Sequence, residues 1–205
     1  MKAQAAPALE PGAGRRVFAV GLVGFCAFLM LYATQPLLPL LHQAFHASKL
    51  AVSLTVSAAT LAVALAAPFV GVIADMRGRK KMIIPAIYLL AVSSFLTATA
   101  PGLNSLIFWR FVQGLLTPAV FAVAVAYINE EWEACETGFV TSVYVTGTVI
   151  GGFSGRFISG LIAARWNWHW VFVCLGCLNL ALAIMISAWL PKAKRFKRAE
   201  NYGAG

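Results

Sequence analysis

The 205 residues are 60% hydrophobic and only 11% charged, with a mean hydropathy of +0.80. That excludes an ordinary soluble domain, in which about a quarter of residues carry charge. At about 20 residues per crossing plus short loops, the length accommodates about six membrane-spanning helices and leaves little for anything soluble.

Taken in order, residues 1–16 carry Lys2, Arg15 and Arg16 among Ala, Pro and Gly, and read as a cytoplasmic N-terminal tail. The apolar run over 17–41 is too long for a signal-peptide core and is expected to stay as the first helix. Its second half, Tyr32-Ala-Thr-Gln35-Pro36-Leu-Leu-Pro39, should kink and turn backbone carbonyls toward a cavity. A second helix over 50–74 follows a short external loop. Its Ser53, Thr55, Ser57 and Thr60 read as packing residues whose hydroxyls bond back to their own helix.

The next stretch is Gly71-Val-Ile-Ala-Asp75-Met-Arg77-Gly78-Arg79-Lys80-Lys81. Asp75 stands at the C-terminal end of an apolar helix, where the macrodipole disfavours an anion, and four cations and a glycine come directly after it. A carboxylate in that position needs a positive partner. Residues 75–81 therefore read as a short cytoplasmic loop with a buried acidic latch at its start.

The third helix covers 82–100, and Pro101-Gly-Leu-Asn104 is an uncharged external turn. The fourth, 105–129, contains Arg110 and Gln113-Gly114 and ends in Glu130, Glu131, Glu133 and Glu136, on the same side as the basic loop. The fifth, 137–164, carries Gly147, Gly151, Gly155 and Ser159 at intervals of four, one close-packing stripe. Arg165-Trp-Asn-Trp-His-Trp170 reads as an external interfacial turn. The sixth helix runs over 170–190, and 191–205 form a basic cytoplasmic C-terminal tail.

Of the sixteen Lys and Arg residues, twelve fall in the tails and the 75–81 loop, and two, Lys49 and Arg165, on the opposite side. This count places both termini in the cytoplasm and marks the bases as topology signals rather than a nucleic-acid surface. The remaining two, Arg110 and Arg156, lie inside helices at about 2.5–3.5 kcal/mol each if left facing lipid, which implies a polar interior. No phosphate-binding loop, metal-ligand set or nucleophile–base pair is present. Cys174-x-x-Cys177 sits in an apolar run without polar ligands beside it, so the four cysteines read as small apolar residues. An enzyme, a cofactor and a metal are therefore not expected.

Three motifs carry a resemblance. Gly71, Asp75, Gly78, Arg79 and Lys80 resemble the signature loop between helices two and three of the major facilitator superfamily of secondary transporters. Met76 stands where that family often has a base, with Arg77 as its substitute. Arg110-x-x-Gln113-Gly114 resembles the family's helix-four motif, whose arginine is associated with proton coupling. Gly138, Gly147, Gly151 and Gly155 follow the spacing of its helix-five antiporter motif, with Gly152 in place of Pro and Arg156 in place of Gly.

The resemblance implies an all-α, six-helix polytopic membrane protein corresponding to the N-terminal half of that fold. It implies a multi-pass protein of the cell inner membrane that moves a small-molecule solute, with protons, by efflux or antiport. Gly71, Asp75, Arg77, Gly78, Arg79 and Lys80, with Glu130 or Glu131, are then a cytoplasmic gate. Tyr32, Gln35, Arg110, Gln113 and Arg156 face the path of solute or proton, and the partners are the lipid bilayer and a second half or another copy. A non-transporting truncated fragment and a membrane assembly or anchoring protein are the rival readings.

Overall fold

The computed structural model describes residues 13–190, without the side chains of Ala13 and Arg77; the expectations placed on 1–12 and 191–205 lie outside the described residues. Those described fold into eight α-helices and one 3-10 turn, with no strand among them. Six helical stretches are long and apolar enough to cross a membrane.

The first crossing is composite: α1 (Ala13–Tyr32), a 3-10 turn (Gln35–Leu37) and α2 (Leu38–Ala44). Pro36 and Pro39 have no amide hydrogen to donate, so the regular ladder fails where the sequence places them. α3 (Lys49–Arg77) starts on Ser48, whose hydroxyl accepts from the Ala51 amide at 3.1 Å. Gly78, at φ 91°, is the only residue between α3 and α4 (Arg79–Ala98), so the expected loop is a single left-handed joint. The fourth crossing is α5 (Leu103–Leu116) and α6 (Pro118–Glu131), interrupted at Thr117 because Pro118 cannot bond the turn before it. α7 (Ala134–Ala163) and α8 (Trp168–Trp189) complete the bundle, α8 capped by the Asn167 side chain.

The helices associate mainly as three pairs, α1 with α7, α3 with α5 and α4 with α8. Small residues set the first two. A Cβ at Gly147, Gly151 or Gly155 of α7 would collide with the carbonyls of Gly21, Phe25 and Leu29 of α1, and one at Gly114 of α5 with the carbonyl of Ala59 of α3. Only glycine lets these backbones approach so closely. The third pair adds polar ties across buried faces, Ser94 Oγ to the Phe172 carbonyl at 2.8 Å and Asn179 Nδ2 to the Ile87 carbonyl at 3.1 Å.

Buried apolar side chains form two clusters, one from Val17 to Leu190 and one from Leu29 to Leu175. Buried polar groups are Thr34, Thr55, Ser93, Ser94, Thr97, Arg110, Gln113, Thr117, Ser159 and Asn179. The least covered crossings are the second and the fifth; α3 exposes Leu61, Leu65 and Phe69, and α7 exposes Val149, Phe153 and Phe157.

Candidate functional site

At the end of the bundle that carries residues 75–81, Arg79 is the hub. Its Nη2 lies 3.1 Å from Asp75 Oδ1 and 3.1 Å from Glu130 Oε1, and its Nη1 donates to the Ala126 carbonyl. One guanidinium thus joins the end of α3 to the last turns of α6, a use of its planar fork that a point charge would not match. Lys80 donates to the Leu190 carbonyl just past α8, where the helix dipole favours a cation. Glu131 takes a different partner, Arg16, at 3.7 Å, and the Arg16 guanidinium lies 5.1 Å from the Trp132 ring centre.

Asp75 differs from expectation: its side chain is 58% exposed rather than buried. It lies on α3, one of the two least covered crossings, so solvent or a further partner covers it, not this bundle. Gly71, one turn earlier, is likewise open, with nothing near where a Cβ would be.

The second cluster sits where the first crossing breaks. Arg110 is buried and reaches across from α5; Nη1 donates to the Met30 carbonyl at 3.0 Å and to Gln113 Oε1 at 2.6 Å, and Nη2 to the Leu31 carbonyl at 2.8 Å. Pro36 and the turn before it disrupt the α1 ladder, and a guanidinium supplies donors to two adjacent carbonyls there. Gln113 is held from its other end, its Nε2 donating to Thr97 Oγ1 at 3.2 Å on α4. Snorkelling to the surface, the alternative for a cation so near a helix end, does not occur. The space between Met30, Leu31, Ala59, Arg110 and Gln113 has no room for water.

Tyr32, Gln35 and Arg156 form a third, open cluster. Arg156 Nε donates to Gln35 Oε1 at 2.7 Å, Nη1 to the Gly152 carbonyl at 3.2 Å, and the guanidinium lies 3.9 Å from the Tyr32 ring centre. Tyr32 and Arg156 border a cavity of about 250 Å³ with Phe28, Thr148, Val149 and Gly152. Gly152, where the resembling motif has Pro, keeps its carbonyl beside the guanidinium. Its missing Cβ leaves room for Tyr32, whose ring carbons would lie at 3.0 and 3.3 Å from one.

The five residues expected along one path therefore divide between a closed polar knot and an open cavity, adjacent along the first crossing. Gly138 departs from the packing stripe: it is exposed in the second turn of α7, and a Cβ there would meet nothing. The close approach of α1 and α7 starts at Val143 and Tyr144, whose carbonyls lie 3.4 and 2.9 Å from where Cβ atoms of Gly21 and Gly24 would be. Sequence reasoning did not single out Thr97, Phe28, Thr148 or the Arg16–Glu131–Trp132 contact. The tail expected over 1–16 includes Arg16, whereas α1 begins at Ala13 and already contains it.

Comparison with known proteins gives a consistent result. The family model described as Major Facilitator Superfamily matches residues 20–204. The chain is 32% identical over 183 residues to the inner membrane transport protein YnfM of Escherichia coli, covering 89% of this chain and 44% of that protein. It is 30% identical over 166 residues to the 4-hydroxybenzoate transporter PcaK of Pseudomonas putida, covering 80% and 37%. Among solved structures, a bacterial homologue of the human lysosomal transporter Spinster superposes with a TM-score of 0.79 at 14% identity, covering 93% of this chain and 47% of that one. The chain thus spans less than half the length of the curated relatives it matches.

Proposed function

The chain belongs to the major facilitator superfamily, and from that premise we propose that it is the N-terminal six-helix half of a secondary transporter that carries a small molecule by alternating access. The single observation that supports this best is the interrupted first crossing, whose freed carbonyls are held by Arg110 beside an open polar cavity. Broken helices at mid-bundle are how such transporters present polar groups to a solute without exposing backbone to lipid.

In this reading Tyr32, Gln35 and Arg156 face the solute, and Arg110 with Gln113 fixes the break that shapes the cavity. The Asp75–Arg79–Glu130 bridge, with Arg77, Gly78 and Lys80, biases one orientation at the cytoplasmic end. A second six-helix half, carried by further chain or by another polypeptide, covers the exposed faces of α3 and α7. Both termini face the cytoplasm and the membrane is the cell inner membrane, as YnfM's name states for that relative.

We further read the transport as proton-coupled efflux or antiport. The carboxylates among the described residues all lie at the end carrying 75–81. A carboxylate that protonates within the path would then come from the second half, with Arg110 setting the local field. The test is co-reconstitution of this chain with a second half in proteoliposomes, with solute flux followed under an imposed pH gradient. Accumulation that collapses with the gradient supports coupled transport; a sealed, correctly inserted assembly that moves no solute supports an assembly or anchoring role instead.

A further inference from the structure

We propose that the Arg156 cavity selects a small organic anion built on one planar apolar ring, with its carboxylate on the guanidinium; this rests on the transport reading and names its substrate class. Two opposite demands meet in this cavity. One wall is a cation: Arg156 uses Nε on Gln35 and one Nη1 hydrogen on Gly152, while its Nη2 and the other Nη1 hydrogen have no partner among the described residues. Two adjacent N–H groups in one plane match the two oxygens of a carboxylate.

The guanidinium cannot swing away easily. Gln35 holds its Nε at 2.7 Å from one side, and the Tyr32 ring supports its face at 3.9 Å. Both supports sit at the break of the first crossing, so the fold fixes the direction in which the free donors point. No carboxylate among the described residues pairs with Arg156; the three ion pairs among them all lie at the other end. Arg156 is exposed at the cavity and keeps donors free, so an incoming anion gains a charge-assisted pair that a neutral or cationic solute does not.

The remaining lining combines the Phe28 and Tyr32 rings with Val149, Gly152 and the Thr148 hydroxyl. Phe28 lies 5.9 Å from Tyr32 and meets Phe121 edge-on at 6.0 Å, and Val149 of α7 borders the open side. These surfaces accept a flat ring better than a sugar or a polyamine. The cleft of about 250 Å³ is open on one side and has room for a single ring against the Tyr32 and Phe28 faces.

The test uses the purified full chain in nanodiscs, with binding of benzoate, benzamide, benzylamine and acetate measured calorimetrically at pH 7. Benzoate should bind about tenfold or more tightly than benzamide, which keeps the ring and loses the charge, and more tightly than acetate, which keeps the charge and loses the ring. Arg156→Gln should remove that preference, Arg156→Lys should recover part of it, and Tyr32→Ala should weaken benzoate binding, each variant checked for an unchanged melting transition. Equal binding of benzoate and benzamide by the unmodified chain would overturn the proposal without recourse to any variant. Arg156-dependent benzoate binding without flux in the co-reconstituted assembly would sink the transport reading and leave the anion site standing. Flux of other solutes with no benzoate binding would do the reverse.

Discussion

Arg110 Nη1 lies 3.0 Å from the carbonyl oxygen of Met30, joining positions eighty residues apart, and its Nη2 reaches the neighbouring Leu31 carbonyl at 2.8 Å. A charged side chain here completes the hydrogen bonding of a backbone that prolines have broken. Arg110 is therefore part of the first crossing's architecture whatever else it does.

It follows that Arg110→Ala should lower stability as well as transport. Removing the guanidinium leaves the buried Met30 carbonyl, the part-buried Leu31 carbonyl and Gln113 Oε1 without their donors, at roughly 1–3 kcal/mol for each of them that water cannot reach. Arg110→Lys should recover only part, because one ammonium cannot span two adjacent carbonyls and an amide in a plane. Thermal unfolding in detergent reads the effect directly. An Arg110→Ala variant that melts with the unmodified chain would show that the break needs no such support.

Glycine substitutions should separate contact from sequence pattern. Gly151→Leu drives a side chain into the Phe25 backbone and should cost at least the 1–3 kcal/mol typical of overpacking, whereas Gly138→Ala should stay within about 0.5 kcal/mol. The difference in melting temperature between the two variants checks this. Equal sensitivity at both positions would mean that α7 packs along its whole length in the membrane.

The Arg79 bridge should matter to cycling more than to folding. Its carboxylates are 58% and 39% exposed, so Arg79→Gln or Glu130→Gln should change stability by no more than about 1 kcal/mol. In an assembled transporter, Asp75→Asn and Gly78→Leu should slow the alternation between orientations while solute affinity changes little, because a latch shifts a population without touching solute. Stopped-flow fluorescence for the rate and equilibrium binding for affinity separate the two. Loss of affinity at a normal rate would move these residues into the solute site.

Orientation is open to a direct test. Fusions of a cytoplasm-active and a periplasm-active reporter at Gly205 should give signal only from the first, on the distribution of twelve bases against two. Periplasmic signal would reverse the bundle and exchange the roles given to its ends.

Different parts of this architecture were legible to different degrees. The spans were readable because apolar length is itself the physical requirement for crossing a bilayer, and Gly147, Gly151 and Gly155 were readable because close packing needs a period of four. Arg110 and Arg156 stood out as cations in apolar runs. Their partners did not: Met30 and Leu31 contribute carbonyls, which every residue has, and Gln35 lies 121 positions from Arg156. The exposure of Asp75 was likewise hidden, since the local pattern shows that a carboxylate needs a cation but not which face of α3 remains bare. Gly138 fits the spacing of its motif yet lies beyond the reach of α1, a fact fixed by where the two helices diverge.

The pairing of α1 with α7 also constrains how the molecule is made. Gly147 is synthesised 126 residues after Gly21, the residue it packs against, so at the usual 5–20 residues per second the first helix waits roughly 6–25 s for its partner. Through most of that interval the broken turn at Gln35 has no Arg110 either, and its carbonyls must be shielded by the insertion machinery or by lipid-interface water. Ribosome-arrested intermediates that end before Arg110 should therefore keep the first helix cross-linkable to the translocation channel, and those extended past Gly155 should release it.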